Sequence, residues 1–123
     1  MSFPMIQFKA TNTELIGELQ DILEQKLHSL TKYIAEDQTD LTCQAEFEKV
    51  TAQTSGKIYR IEVNLYIDGT LYRAESTETT FEEAIDEVRN ELDKELRRSN
   101  KKKETMLKRG GRRIKEMMRF GSQ

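Results

Sequence analysis

The chain has no tryptophan, one proline (Pro4), one cysteine (Cys43) and one histidine (His28). A lone Cys43 cannot close an intramolecular disulfide, and one His with one Cys nearly excludes a zinc site built from those ligands. No run of apolar residues approaches the ~18 that a membrane span requires. Met1-Ser2-Phe3-Pro4 lacks the basic start and apolar stretch of a signal peptide. These absences lead us to expect a cytoplasmic protein with no membrane partner. There is no nucleophile elbow, phosphate-binding glycine loop or dinucleotide fingerprint. Gly110-Gly111 lacks the preceding strand and lysine spacing of a phosphate loop. His28 falls midway along a surface helix. Glu14, Glu18, Asp21, Glu83, Asp86 and Glu87 map to solvent faces of helices, where a solubilising surface is a far commoner role than acid–base work. No catalytic residue, metal, cofactor or small-molecule substrate is therefore expected, and the chain does not read as an enzyme.

What is present is charge, unevenly placed. The 123 residues sum to −2, but Met1 to Leu96 carries 9 Lys and Arg against 20 Asp and Glu, while Arg97 to Gln123 carries 11 against 2. The basic end calls for an anionic partner. Acidic residues early and basic residues late in a helix also complement its dipole. That accounts for Glu82, Glu83, Arg97 and Arg98, but not for a surplus that continues past Gly110-Gly111.

The apolar residues fix the elements. Met5 to Ala10 reads as a strand. Thr11-Asn12-Thr13-Glu14 has a capping-box pattern. Leu15, Ile16, Leu19, Ile22, Leu23, Leu27, Leu30 and Ile34 then recur at helical spacing, predicting a helix from about Thr13 to Ala35. The period then becomes two, with Leu41, Cys43, Ala45 and Phe47 on one face, a loop from Val50 to Lys57, and Tyr59, Ile61, Val63, Leu65 and Ile67 in a second strand. Asp68-Gly69 predicts a tight turn. The returning strand, Leu71 to Glu78, should turn Tyr72, Ala74 and Ser76 inward. Thr80-Phe81-Glu82-Glu83 repeats the capping box, and Phe81, Ala84, Ile85, Val88, Leu92 and Leu96 begin a helix that Gly110-Gly111 should end. The order β-α-β-β-β-α predicts an α+β sandwich, an antiparallel sheet with two helices on one face. Residues 1–104 should form one domain and 105–123 a basic, flexible tail, in which Arg112 to Phe120 adds at most another amphipathic turn or two.

At 100° per residue, Lys94, Arg97, Arg98 and Lys101 lie opposite the stripe of Ile85, Val88 and Leu92, spaced to meet successive phosphates of a folded RNA. Lys102 and Lys103 widen this face, and Lys108, Arg109, Arg112 and Arg113 continue it, with Lys115 and Arg119 beyond.

Several segments carry a resemblance: Glu24-Gln25-Lys26-Leu27-His28-Ser29-Leu30-Thr31-Lys32-Tyr33, Phe47-Glu48-Lys49, Tyr59-Arg60-Ile61-Glu62-Val63, Leu71-Tyr72-Arg73-Ala74-Glu75-Ser76, Phe81-Glu82-Glu83-Ala84-Ile85-Asp86 and Leu92-Asp93-Lys94-Glu95-Leu96-Arg97-Arg98. In order and spacing, over about residues 5 to 104, they resemble the ribosome hibernation promoting factor and ribosome-associated translation inhibitor family, also named for modulation of the sigma-54 factor. The resemblance implies a fold similar to a double-stranded RNA-binding domain. It also implies docking on small-subunit rRNA in the channel used by mRNA and tRNAs, with translation blocked sterically. The implied RNA contacts are Lys26, Lys32, Lys49, Lys94, Arg97, Arg98 and Lys102. The chain departs from the pattern at Glu91, Glu95 and Asn100, and its first helix presents an acidic face, which shifts weight to Arg97 onward. It looks like a short form, monomeric when free, with its own basic tail. A general structured-RNA-binding module and a protein-interaction regulator remain open beside this reading.

Overall fold

The computed structural model describes residues 3–120, with side chains described through Leu107. The elements are β1 (Ile6–Thr11), α1 (Gly17–His28), a 3₁₀ turn (Thr31–Tyr33), β2 (Leu41–Lys49), β3 (Tyr59–Ile67), β4 (Thr70–Glu78) and α2 (Phe81–Phe120). The strands form one four-stranded sheet in the order β1-β2-β3-β4. The fold is α+β, as the sequence pattern predicts.

Alternation sets the register. Cys43, Ala45 and Phe47 of β2 stand opposite Leu65, Val63 and Ile61 of β3, and Val63 opposite Ala74 of β4. All seven are buried, and α1 and α2 close over them with Leu19, Leu23, Leu27, Ile85, Val88, Leu92 and Leu96 in a single core. Phe81 joins that core edge-on to both Phe47 and Tyr59, with centroids 5.4 and 4.9 Å apart. Burial pushes the Cys43 thiol up to about 12, so it acts as a small apolar residue rather than a nucleophile. The turn forms where expected: Asp68 and Gly69 have φ of 51° and 81°, the left-handed pair that suits a two-residue hairpin. At α2 the Thr80 hydroxyl accepts from the Glu83 N–H at 3.1 Å, which makes the N-cap half of the predicted capping box, while the Glu83 carboxylate accepts from the Thr79 and Thr80 hydroxyls. Tyr72 and Ala74 turn inward as expected, whereas Ser76 is only half-buried and donates to Glu87.

Three expectations need correction. The sheet is mixed, because β1 pairs parallel to β2, Ile6 opposite Cys43 through Thr11 opposite Glu48. The α1 crossover returns the chain to the end where β1 began, so the two strands run the same way. The first helix is also much shorter than Thr13 to Ala35. Thr11 is taken by β1 pairing, and its hydroxyl donates to Glu46. Asn12 turns the chain with φ 58°, and helix starts only after Ile16, with no side-chain cap. Leu15 and Ile16 are thereby exposed. At the other end the hydroxyls of Ser29 and Thr31 donate to the carbonyls of Lys26 and His28 at 2.6 and 2.7 Å, and the chain tightens into the 3₁₀ turn. Leu30 and Ile34 still reach the core from it. Finally, α2 does not stop at Gly110-Gly111 but continues to Phe120. Each glycine costs a helix about 1 kcal/mol, which the Lys, Arg, Glu, Met and Leu around them offset through high helix propensity.

Candidate nucleic-acid interface

Two surfaces of the domain are rich in charge, and they differ in how that charge is satisfied. The outer face of the sheet brings Glu46, Glu62 and Glu75 directly opposite one another on β2, β3 and β4. Three carboxylates in a row would repel, but Arg60 sits beside them. It donates to Glu48 at 2.9 Å, to Glu46 at 3.4 Å and to Glu75, and also pairs with Glu62. Arg73 completes the set, with Nε 3.1 Å from Glu62 and its terminal nitrogen 3.3 Å from Glu75. The hydrogen bond from Arg73, joined by those from Arg60, outweighs desolvation and holds the Glu62 carboxyl at about 2. Lys9 adds a third cation 4.0 Å from Glu46, so three positive groups stand against four carboxylates: the face satisfies most of its charge internally and stays slightly acidic, which suits no phosphate. Sequence reading missed the network; the signal was Glu-x-Glu in β2 facing Arg-x-Glu in β3 once the register is known.

The candidate RNA-contacting residues are disposed otherwise. Lys94, Arg97, Arg98, Lys101, Lys102 and Lys103 all lie exposed on α2, around and beyond Leu96, the last buried position among the described residues. Among them the described ion pairs include only one, Arg97 to Asp93 at 3.9 Å, a weak contact one helical turn apart. Lys32 projects from the 3₁₀ turn, its Nζ 5.2 Å from the Tyr33 ring centroid. Tyr33 lies against α2: its hydroxyl donates to Asp93 at 2.8 Å, and Asn100 donates to its carbonyl at 3.3 Å. The bond to Asp93 raises the Tyr33 phenol above its ordinary value. Lys32 and the α2 cations therefore converge at one end of the domain.

Lys26 and Lys49 are placed differently. Lys26, on α1, forms an ion pair with Asp86 at 3.1 Å. Lys49 is opposite Tyr59, which packs on Phe81 at the start of α2. Sixteen residues of helix separate Phe81 from Arg97, roughly 24 Å along the axis. Lys108, Arg109, Arg112 and Arg113 belong to the helical backbone of α2, but their side chains lie outside the described residues. Among the described residues there is no cluster of His, Cys, Asp or Glu fit to hold a metal ion, and no helix long and apolar enough to cross a membrane.

A family model described as sigma 54 modulation protein / S30EA ribosomal protein matches residues 6–104. The chain belongs to that family. The match spans β1 to the exposed part of α2 and so includes both the core and the first cations of the basic face. In the sigma 54 modulation / S30EA family the chain is a non-enzymatic, ribosome-associated factor of translation regulation. Solved structures share the fold. One is the N-terminal domain of Protein Y from Thermus thermophilus, 22% identical with a TM-score of 0.63, covering 80% of this chain and 98% of that one. Another is a ribosomal subunit interface protein from Coxiella burnetii, 16% identical with a TM-score of 0.59, covering 76% of this chain and 94% of that one.

Proposed function

We propose that the chain docks on small-subunit rRNA, in the channel that mRNA and tRNAs use, and silences translation by occupying it. The observation that carries this reading is the exposed cationic end of α2, Lys94, Arg97, Arg98, Lys101, Lys102 and Lys103, standing on a body that is otherwise acidic. Phosphates are the natural partner of unneutralised Lys and Arg spaced along one helix, and release of their counterions drives binding. Lys32 adds to this end. Lys26 and Lys49 contribute at the margins, Lys26 only after exchanging Asp86 for a phosphate. Residues 1–104 act as the binding domain and 105–123 as a basic extension, with Lys108, Arg109, Arg112 and Arg113 adding long-range attraction. No bond is broken and no cofactor or small-molecule substrate takes part; the protein acts as a monomer in the cytoplasm. The subunit interface protein among the structural neighbours supports this setting by analogy.

Sedimentation of the purified chain with separated small and large subunits, at low and high salt, tests the reading. Co-migration with the small subunit that weakens with salt is expected. Binding to arbitrary duplex RNA with no preference for the subunit would replace the reading with a general RNA-binding module. Capture of one protein after exhaustive nuclease treatment would replace it with a protein-interaction regulator.

A further inference from the structure

The stripe of α2 that buries Ile85, Val88, Leu92 and Leu96 does not end with the core. Its next members are Asn100, Lys103 and Leu107, and beyond Leu96 they face a corner between α2 and the 3₁₀ turn instead of packed side chains. The corner is an open groove of about 520 Å³, inside the ~300–1,000 Å³ range of small-ligand sites. Tyr33 and Leu107 supply apolar surface, Leu107 being 75% exposed, while Arg97, Lys101 and Lys103 form a cationic rim interrupted by one carboxylate, Glu104. The Tyr33 ring is held at both ends of its residue, by Asp93 at the hydroxyl and by Asn100 at the carbonyl. It also has a face accessible to an exposed side chain, since Lys32 lies over it.

We propose that this corner is a subsite for one unpaired nucleotide, whose base stacks on Tyr33 while its phosphates meet Arg97, Lys101 and Lys103. The inference rests on the RNA-binding reading and goes beyond it: the helix face gives attraction to any phosphate backbone, whereas the corner selects RNA with an extruded base. An apolar floor inside a cationic rim matches a flat base attached to an anionic backbone. A paired base, held inside its helix, cannot enter. A prefixed aromatic ring has little ordering cost on stacking, and stacking on aromatic side chains is how unpaired RNA bases are commonly held. Lys32 then gives up the ring face to the base and is left beside the nucleotide's phosphate.

The test uses two short RNA hairpins, one carrying a single bulged 2-aminopurine and one fully paired. On wild type, fluorescence of the bulged base should be quenched and the bulged hairpin should bind about tenfold more tightly, the scale of one stacked base. Tyr33→Leu should abolish both effects and leave affinity for the paired hairpin unchanged. Tyr33→Phe, which keeps the ring, should retain the quench. Leu107→Ser, at a site too exposed to threaten the fold, should weaken the quench and keeps the test decisive if Tyr33→Leu unfolds. Equal affinity for the two hairpins with no quench on wild type would overturn the proposal, as would equal weakening on both hairpins in Tyr33→Leu. If salt-sensitive binding to both hairpins persists without any bulge preference, the inference falls and the RNA-binding reading stands. If neither hairpin binds more tightly than an uncharged peptide nucleic acid control, the inference falls, and sedimentation with the small subunit decides the RNA-binding reading separately.

Discussion

Within α2, residues 81–96 and residues 97–107 share a helical backbone and differ in nearly everything else. The first stretch buries Phe81, Ala84, Ile85, Val88, Leu92 and Leu96 against the sheet, and its exposed positions are largely acidic. The second buries nothing among its described residues, leaves Met106 and Leu107 exposed, and is basic. A helix of 40 residues is roughly 60 Å long, far more than the sheet beneath it can cover. The fold therefore depends on the first stretch, and the second is available to a partner. The lesson concerns charge: had the basic residues been spread along the whole helix, Asp86, Glu87 and Asp93 would neutralise them in place, as Asp86 already does for Lys26.

The largest effects should expose that division in stability. Leu92→Ala or Phe47→Ala, at fully buried positions, should cost about 2–5 kcal/mol in urea denaturation, while Leu107→Ala stays within about 0.5 kcal/mol. A costly Leu107→Ala would mean that the exposed stretch packs on the body in solution. Smaller effects belong to the helix start. Thr80→Ala removes the observed cap and should cost about 1 kcal/mol, whereas Glu14→Ala, at the carboxylate of the capping pattern that the fold leaves unused, should change the midpoint little. Comparable losses from both would show that α1 begins earlier in solution.

The smallest effect is a pH slope on the sheet face. Glu62 is held at about 2, below its ordinary value near 4.3, so its stabilising contribution is fully present above the ordinary value and is lost as pH falls toward 2. Glu62→Gln should flatten the decline of stability between about pH 5 and pH 2, with the basic stretch unaffected. An unchanged slope in acid denaturation would show that Arg60 and Arg73 do not hold Glu62 in solution.

Much of the body was legible because alternation is a tertiary signal written locally. Cys43, Ala45, Phe47 and their partners on β3 needed only a period of two to be placed on the inner face. The start of α2 was legible for a similar reason, since Thr80 and Glu83 satisfy each other within one turn. The start of α1 was not, because Thr11 had a competing use in β1 that depends on a strand more than 30 residues away. Gly110-Gly111 misled by composition alone, where the surrounding residues outweigh two glycines. On the candidate site, helical spacing was enough to put Lys94, Arg97, Arg98 and Lys101 on the solvent side of α2. It could not bring Lys32 to the same end of the domain or separate Lys49 from it, because both depend on how the 3₁₀ turn and the sheet pack. Tyr33 was invisible as a functional candidate for the same reason: its partners, Asp93 and Asn100, lie 60 and 67 residues away in sequence.

Ribosome affinity across a salt series, for wild type, for the combined Lys94→Gln, Arg97→Gln, Arg98→Gln and Lys101→Gln variant, and for a chain truncated after Glu104, tests the central division most directly. The combined variant should melt as wild type does but bind far more weakly, with its log–log salt slope flattened by about 0.7–0.9 for each phosphate it no longer neutralises. The truncated chain should bind less tightly than wild type yet still prefer the small subunit. A combined variant that binds as tightly as wild type with the same salt slope would contradict the account, leaving this face of α2 as a solvated surface and the interaction with residues beyond Glu104.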